Sequence, residues 1–237
     1  MEQFNGFVKG FILLALMGII AGCAETYQAK KVQQSGFLGD YSLLQKGKEG
    51  QALLVYKNPN ANWKSYNKVL LDPVTVWAGS DSQLNDVSPE DTTRLAEYLY
   101  TKVHVALAED YQFVKAPGPG VMHIQIAITE ADKPNAVLHT VGNVVPQAIV
   151  VSQLKKLVTG TNSFVGQASV EMKITDGATG VLLAAAVDKR GGGKGWTRAT
   201  ENTWADVDHT YDYWAQLLKY RLCQFRDGVG CVAPPEE

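Results

Sequence analysis

Alternation between apolar and polar residues is the feature that most constrains how this 237-residue chain folds. It runs from Val121 to Glu130 and from Gly166 to Asp176, and a turn at Asp176-Gly177 leads into a returning stretch from Val181 to Arg190. The apolar members, which we expect on one buried face, are Met122, Ile124, Ile126 and Ile128, then Ala168, Val170, Met172 and Ile174. A period of two residues predicts strands with one covered face, and the turn predicts a hairpin.

Helical periodicity marks two further segments. Ser88, followed by a proline, predicts the start of a helix that ends near Asp110. A last helix begins at a cap formed by Thr203 or Asp206, and Val144–Val158 is apolar enough for a third helix. The expected buried residues are Leu95, Leu99, Val103, Ala106 and Leu107 in the first helix, and Val207, Tyr211, Trp214, Leu218, Leu222 and Phe225 in the last.

Two shorter segments complete the predicted sheet. Ala52–Lys57 is a short strand, and Lys68–Trp77 is rich in strand-forming residues. The second contains Pro73, which cannot donate a ladder hydrogen bond, so it should be an edge strand or be broken there. Together the elements predict a single α+β domain over residues 35–237, with a mainly antiparallel sheet covered on one face by two or three helices.

An apolar run of eleven residues, Phe11–Ala21, precedes Gly22 and Cys23. At about 1.5 Å per residue it is too short to cross a hydrocarbon core of about 30 Å, and it has the outline of a signal peptide covering residues 1–22. The four residues ending at Cys23 resemble the lipobox of bacterial lipoproteins. That resemblance implies cleavage before Cys23 and acylation of its thiol, with palmitate as a typical chain. An ordinary secretory signal with an incidental cysteine is the alternative.

The residues after Cys23 bear on where the chain resides. Residues 23–34 are polar and aperiodic, which predicts a flexible tether between the lipid and the fold. Ala24 follows the cysteine where inner-membrane lipoproteins of enterobacterial type typically carry Asp. The resemblance therefore favours an outer-membrane lipid anchor, with the domain facing the periplasm, over the inner membrane.

Cys223 and Cys231 are the remaining cysteines, separated by a turn-prone segment that contains Gly228 and Gly230. In an oxidising compartment we expect them to form a disulfide, with two free thiols or a metal pair as the alternatives. A metal pair lacks further ligands at a fitting spacing, so no metal or other cofactor is expected.

Charge composition excludes one class of partner. The chain has 22 Lys and Arg against 24 Asp and Glu, and this balance gives no electrostatic footprint for nucleic acid. The glycine-rich segment at 191–195 lacks the residues of a phosphate loop. A mobile surface loop is the better interpretation, although Lys189, Arg190, Lys194 and Arg198 could form a small patch for lipid headgroups or an acidic partner.

No catalytic set is assembled in the sequence. Asp208 and Asp212 share a helix face at i, i+4, with His209 beside them, and could serve as acids and bases. A solvated helix face explains the same spacing more simply. The four histidines show no metal-ligand spacing, and we expect structural or surface roles for them. Trp63 lies in a polar stretch, and core burial is favoured over a role in recognition.

Several strings in order along the chain resemble the DUF3313 family of uncharacterised Gram-negative lipoproteins. They are SGFLGDYSLL at 35–44, KVLLDPVTVW at 68–77, DYQFV and PGPG within 110–120, AITEAD at 127–132, SFVGQASVEMKITDGATG at 163–180, AAAVDKR at 184–190 and DYWAQLLKYRL at 212–222. The resemblance covers nearly the whole mature chain. It implies an envelope lipoprotein and transfers no catalytic residue, because the family has no assigned activity.

The expected function is a membrane-anchored periplasmic lipoprotein that acts as a non-enzymatic binding or assembly module of the cell envelope. Its expected partners are the membrane, through the anchor, and an envelope protein or cell-wall component. The rival hypothesis is a hydrolase or transferase acting on cell-wall glycan or lipid through Asp208, Asp212 and His209. A third is a carrier of small apolar ligands, which requires an empty cavity between sheet and helices.

Overall fold

A mixed β-sheet, with two helices on one of its faces, forms the framework of the protein. The computed structural model of the chain describes residues 26–79, 82–132, 166–192, 204–226 and 228–235. The predicted signal peptide, Cys23 and the predicted helix over 144–158 lie outside these residues.

Three long neighbouring strands carry the centre of the sheet: β7 (Val121–Asp132), β8 (Gln167–Asp176) and β9 (Leu182–Gly192). Both pairings are antiparallel. Ile126 lies opposite Met172, which lies opposite Ala186, so the predicted apolar members share one face of the sheet. The predicted hairpin is therefore confirmed. We call the side that carries these residues the helix face and the other side the opposite face.

Shorter strands flank this centre on both sides. They are β1 (Thr26–Gln28), β2 (Gln45–Lys46), β3 (Leu54–Lys57), β4 (Lys68–Leu71), β5 (Thr75–Val76) and β6 (Gln112–Phe113). The strand order is β2-β3-β9-β8-β7-β4-β6, with β1 also paired to β9 and β5 to β7. Among the described strands, β4 and β5 run parallel to β7 and β4 runs parallel to β6, whereas the other pairings are antiparallel.

Pro73 divides the segment Lys68–Trp77 into two strands, which is one of the two outcomes predicted for it. Strand β4 ends at Leu71, and β5 resumes at Thr75 on the same partner, β7. Since proline has no backbone N–H, the ladder is interrupted and then continued beyond it.

A β-bulge at Thr129 changes which side chains of β7 face the helices. Ile128 pairs with Val170 and Ala131 with Ala168, so both remain on the helix face, while Glu130 pairs with Ser169 on the opposite face. In a regular ladder, Thr129 would pair with Ser169 and Glu130 with Ala168, so Glu130 would lie on the helix face.

Two helices cover the helix face: α1 (Pro89–Leu107) and α2 (Ala205–Arg226). The Ser88 hydroxyl accepts a hydrogen bond from the backbone N–H of Asp91 at 3.2 Å, which confirms the predicted N-cap. The buried residues of α1 are Leu95, Leu99, Val103 and Leu107, and those of α2 include Val207, Tyr211, Trp214, Leu218 and Leu222. The apolar stripes predicted for both helices therefore form the core against the sheet, and the α+β class is confirmed.

The first described residues correct one prediction. Thr26–Gln28 pair with Arg190–Gly192 as strand β1, and the backbone N–H of Ala29 bonds the carbonyl oxygen of Lys189 at 2.9 Å. The flexible tether predicted over 23–34 is therefore wrong for residues 26–29. The polar sequence does not reveal this strand because its partner lies about 160 residues further along the chain.

None of the helices in the described part of the chain is both long and apolar enough to span a bilayer.

Candidate functional site

An apolar cavity of about 180 Å³ lies between the sheet and the two helices. Its floor is the helix face of β3, β8 and β9, where Val55, Met172 and Ala186 contribute side chains. Helix α1 closes one side and helix α2 forms the roof. The helical side chains that line it are Leu99 and Val103 from α1, and Trp214, Leu217, Leu218 and Phe225 from α2.

Small residues of β9 create this space. Ala184 and Ala186 lie on the helix face and line the cavity, whereas the neighbouring positions of β8 carry Met172 and Ile174. Beneath the bulky side chains of α2, an alanine leaves a gap that a leucine or valine would fill. Natural interiors hold few voids larger than a water molecule, so this one is a distinguishing feature of the fold.

Asp188 forms the buried polar end of the cavity. Its Oδ1 accepts hydrogen bonds from the Gln28 side chain at 2.7 Å and the backbone N–H of Leu53 at 3.2 Å. Its Oδ2 accepts from Trp214 Nε1 at 2.8 Å and from Arg190 Nε at 3.2 Å. Each carboxylate oxygen thus has two donors, and the residue ties strand β1 and helix α2 to the sheet.

Arg190 balances the charge of Asp188 within the core. Its guanidinium lies 3.8 Å from the ring centroid of Tyr213 and donates to Thr26 Oγ1 at 3.0 Å. Burial raises the pKa of Asp188, and the positive charge of Arg190 opposes that rise. Since its acceptor sites are occupied and its charge is paired, Asp188 defines the cavity wall without needing a ligand.

Two cationic side chains also line the cavity. Lys57 is exposed, and its Nζ stands 4.4 Å from the ring centroid of Phe225. Arg221 is half-buried; its Nη2 donates to the carbonyl oxygen of Gly50 and its Nη1 to Gln224 Oε1 at 2.6 Å. The Nε of Arg221 is buried and has no hydrogen-bond partner among the described residues. Apart from Asp188, the charged side chains that line the cavity are therefore cationic.

The carboxylates proposed for catalysis are engaged between the helices. Asp208 forms a bidentate pair with Arg94 of α1, with Nη1–Oδ1 and Nη2–Oδ2 distances of 3.1 and 2.6 Å. Asp212 pairs with Lys102 at 2.8 Å, and this contact raises the pKa of Lys102. His209 is half-buried and, being adjacent to Asp208, points about 100° away around the helix. Neither carboxylate lines the cavity.

The predicted anion patch is wrong with respect to Arg190. Lys189 and Arg190 lie on opposite faces of the sheet because they pair with Ser169 and Ala168, respectively. Lys189 is ion-paired with Glu130, and the side chain of Arg190 is only 4% exposed. Lys194 and Arg198 lie outside the described residues. Successive side chains of a strand point to opposite faces of the sheet, so two residues that are adjacent in sequence do not form one contiguous surface there.

A disulfide joins Cys223 and Cys231, with the two Cα atoms 5.7 Å apart. The prediction is thereby confirmed over free thiols and a metal pair. The bond fixes the chain after α2 close to the end of that helix. Within the described ranges, no group of three or more His, Cys, Asp or Glu side chains is placed to hold a metal ion.

Trp63 is buried, as favoured from the sequence, and packs on Phe225 with ring centroids 4.8 Å apart. Two histidines make local contacts. His104 stacks on Phe113 at 4.0 Å, and His123 Nε2 lies 2.9 Å from Asp72 Oδ2. Both have structural partners, which agrees with the roles expected for them.

The family model of DUF3313, described as a protein of unknown function, matches residues 33–218. The chain belongs to the DUF3313 family. The matched range contains most residues of the cavity and ends before Arg221 and Phe225, which also line it. No curated protein matches the chain.

Two solved structures of PelC from Paraburkholderia phytofirmans resemble this DUF3313 chain distantly. One is described as a dodecamer of a leucine-to-methionine variant; it is 11% identical, with a TM-score of 0.38, and the match covers 70% of this chain and 92% of the other. The second PelC dodecamer is 10% identical, with a TM-score of 0.36, and the match covers 67% and 91% of the two chains.

From the sequence, a cavity between sheet and helices was named only as what the hypothesis of an apolar-ligand carrier requires. The residues that line it were not predicted. The run Leu182–Val187, with three consecutive alanines, was the available signal, because alanine in a strand beneath a helix leaves space. More than 160 residues separate Lys57 from Arg221, so the sequence does not reveal that they share a site. Only the folded chain places both residues in the wall of the DUF3313 cavity.

Proposed function

We propose that this DUF3313 protein is a lipid-anchored, non-enzymatic binding module of the cell envelope, tethered through Cys23. The apolar cavity between sheet and helices carries the binding part of the proposal. It is lined chiefly by aliphatic and aromatic side chains, and the charged residues in its wall are Lys57, Asp188 and Arg221. Such a concave apolar site with few polar groups is typical of small-molecule binding.

The charged groups near the helices support binding over catalysis. Asp208 and Asp212 are each paired with a cation of α1, and Asp188 accepts four hydrogen bonds. A general acid or base needs a titrating group that reaches the substrate. Here the carboxylates are used to hold helices and strands together, which leaves the cavity itself as the feature that can recognise a ligand.

Two features support the envelope location. Cys23 follows an apolar run that ends in small residues, as lipidation requires. The disulfide between Cys223 and Cys231 is of a kind that persists in oxidising compartments such as the bacterial periplasm. Strand β1 begins at Thr26, so only two residues separate a lipid on Cys23 from the folded domain, and the cavity would be held close to the membrane surface.

Labelling with radioactive palmitate in cells tests the anchor. We expect label on the wild-type protein and none on Cys23→Ser, which should move from the membrane fraction to the soluble fraction. Cys231→Ser is the matched control, because it removes a different sulfur and should leave the palmitate label unchanged. An unlabelled wild-type protein that fractionates like Cys23→Ser would overturn the anchoring proposal.

Photocrosslinking in intact cells tests the binding role. Photo-methionine replaces methionine at Met172, which lines the cavity, and at Met122, which is buried in the core away from it. We expect an adduct on the peptide that contains residue 172, none on the peptide that contains residue 122, and loss of the adduct in Met172→Leu. Equal labelling of both peptides, or none, would contradict ligand binding in the cavity.

A further inference from the structure

We infer that the cavity binds a small amphipathic monoanion, with one apolar group of about six carbons inside and a carboxylate or phosphate attracted by Lys57 and Arg221. This inference rests on the binding role proposed above and specifies its ligand class. It draws on three separate properties of the cavity: its volume, the chemistry of its apolar walls and the charge of the two cationic side chains that line it.

The volume limits the size of the apolar group. A cavity of about 150 Å³ lined by aliphatic and aromatic side chains stays dry and accepts benzene, whereas drug-sized ligands occupy about 300–1,000 Å³. The cavity of this protein, at about 180 Å³, lies just above the first value. It therefore fits one short chain or ring and excludes a multi-ring ligand or a complete long-chain lipid.

The walls select an apolar group. The side chains around the middle of the cavity, among them Val55, Val170, Met172 and Leu218, carry no hydrogen-bonding group other than the weak acceptor sulfur of methionine. A polar ligand atom placed there would lose its hydrogen bonds to water without replacement, which is costly. The buried end does not compensate, because both oxygens of Asp188 already have donors.

The cationic side chains of the wall select the sign of the head group. Besides Asp188, whose charge Arg190 balances, the charged residues that line the cavity are Lys57 and Arg221. An arginine carries a permanent positive charge and five N–H donors. An anionic head group would be attracted by both Arg221 and Lys57.

Methyl NMR of the full-length protein, labelled with ¹³C at its methionine methyl groups, tests the inference with hexanoate as the probe. Met172 reports on the cavity and Met122 serves as the internal control. We expect saturable shifts of the Met172 methyl signal, with a Kd on the order of 1 mM, and a static Met122 signal. From butanoate to hexanoate the affinity should rise about fourfold per methylene. It should level off beyond octanoate, because the cavity is then full.

Head-group variants separate the charge from the apolar contact. Hexanoate should bind about tenfold more tightly than hexanol, and hexylammonium should bind more weakly than both. Arg221→Gln should weaken hexanoate about tenfold and leave hexanol unchanged. Arg226→Gln is the matched control on the same helix, since Arg226 does not line the cavity. Ala186→Leu should abolish binding of all three probes by filling the space.

The outcomes distinguish the inference from the proposed function. Equal binding of hexanoate, hexanol and hexylammonium, or no response to Arg221→Gln, would overturn the anionic head group while leaving a binding cavity. A methyl signal of Met172 that no probe shifts would overturn binding in the cavity altogether. Affinity that keeps rising through decanoate would also overturn the inference, because it would place the chain outside the cavity. Arg221→Gln alters a half-buried side chain, so it tests the inference even if Ala186→Leu fails to fold.

Discussion

The two faces of the β8–β9 hairpin are buried in different ways. On the helix face, Met172, Ala184 and Ala186 are apolar and leave a cavity beneath α2. On the opposite face, Glu171 is fully buried; it accepts hydrogen bonds from the backbone N–H of Ser35 at 2.7 Å and the hydroxyl of Tyr41 at 2.5 Å. Around the cavity the helix face is apolar and incompletely filled, whereas the buried carboxylate of Glu171 on the opposite face has its hydrogen-bond donors. The comparison indicates that the cavity lies where the surrounding side chains form few hydrogen bonds.

The largest expected effect comes from removing the ionic cluster at the buried end of the helix face. Asp188→Leu should lower the free energy of unfolding by about 3–5 kcal/mol, because it leaves Arg190 buried without its counter-ion. Urea denaturation measures the loss. Adding Arg190→Met to this variant should recover most of it, since the unpaired charge is then gone. A loss below about 1 kcal/mol would mean that the cluster does not hold β1 and α2 to the sheet.

Removing the acceptor on the opposite face should have the next largest effect. Glu171→Leu should lower the free energy of unfolding by about 2–3 kcal/mol, because the Ser35 N–H and the Tyr41 hydroxyl lose their acceptor. The effect is smaller than at Asp188 because no bonded cation is left buried. In a double-mutant cycle measured by urea denaturation, Tyr41→Phe should cost less in the Glu171→Leu background than in the wild type. Equal costs in both backgrounds would show that the two side chains are not coupled.

An alanine-to-valine substitution on each face compares the packing of the helix face directly with that of the opposite face. Ala186→Val lies at the cavity and should raise the free energy of unfolding by about 0.5–1 kcal/mol. Ala127→Val lies on the opposite face, where the residue is fully buried, and should lower it by about 1–2 kcal/mol through overpacking. Thermal and urea unfolding of the two variants give the difference. Equal destabilisation would mean that the helix face is as tightly packed as the opposite face.

The last expected effect, smaller than the difference in stability between Ala186→Val and Ala127→Val, concerns a polar contact at the rim of the helix face. Tyr66 donates its hydroxyl proton to Asp176 at 2.7 Å. Burial, with help from this bond, raises the pKa of Tyr66 to about 12, and the same bond lowers the pKa of Asp176. Tyr66→Phe should cost about 1 kcal/mol at neutral pH.

The pH dependence of that cost follows from the two shifts. A raised tyrosine pKa gives stability that is complete below pH 10 and lost between about pH 10 and 12. A lowered aspartate pKa gives stability that is complete above about pH 4 and lost as the pH falls through the folded value. The difference in the free energy of unfolding between wild type and Tyr66→Phe, measured by urea unfolding across pH, should therefore form a plateau that declines at both ends. A free-energy difference that stays constant across the pH range would exclude the hydrogen bond.

Elements defined by local periodicity were predictable, and contacts between distant segments were not. The hairpin of β8 and β9 and the cap at Ser88 follow from residues within a few positions of one another. The strand at Thr26–Gln28 and the bulge at Thr129 were missed, because each depends on a partner strand that the local sequence does not specify. The same reason explains why Arg190 was assigned to a surface patch although it is buried.

By itself, the sequence determined the positions of the long strands and helices and membership of the DUF3313 family, and it favoured a disulfide between Cys223 and Cys231. Tertiary structure alone decided where a void remains and which charges surround it. Asp188 meets Gln28 across 160 residues, and Lys57 meets Phe225 only because α2 crosses β3. Periodicity depends on residues that are close together in the chain. A cavity depends on side chains from several helices and strands, and it remains where those side chains do not fill the space between the elements.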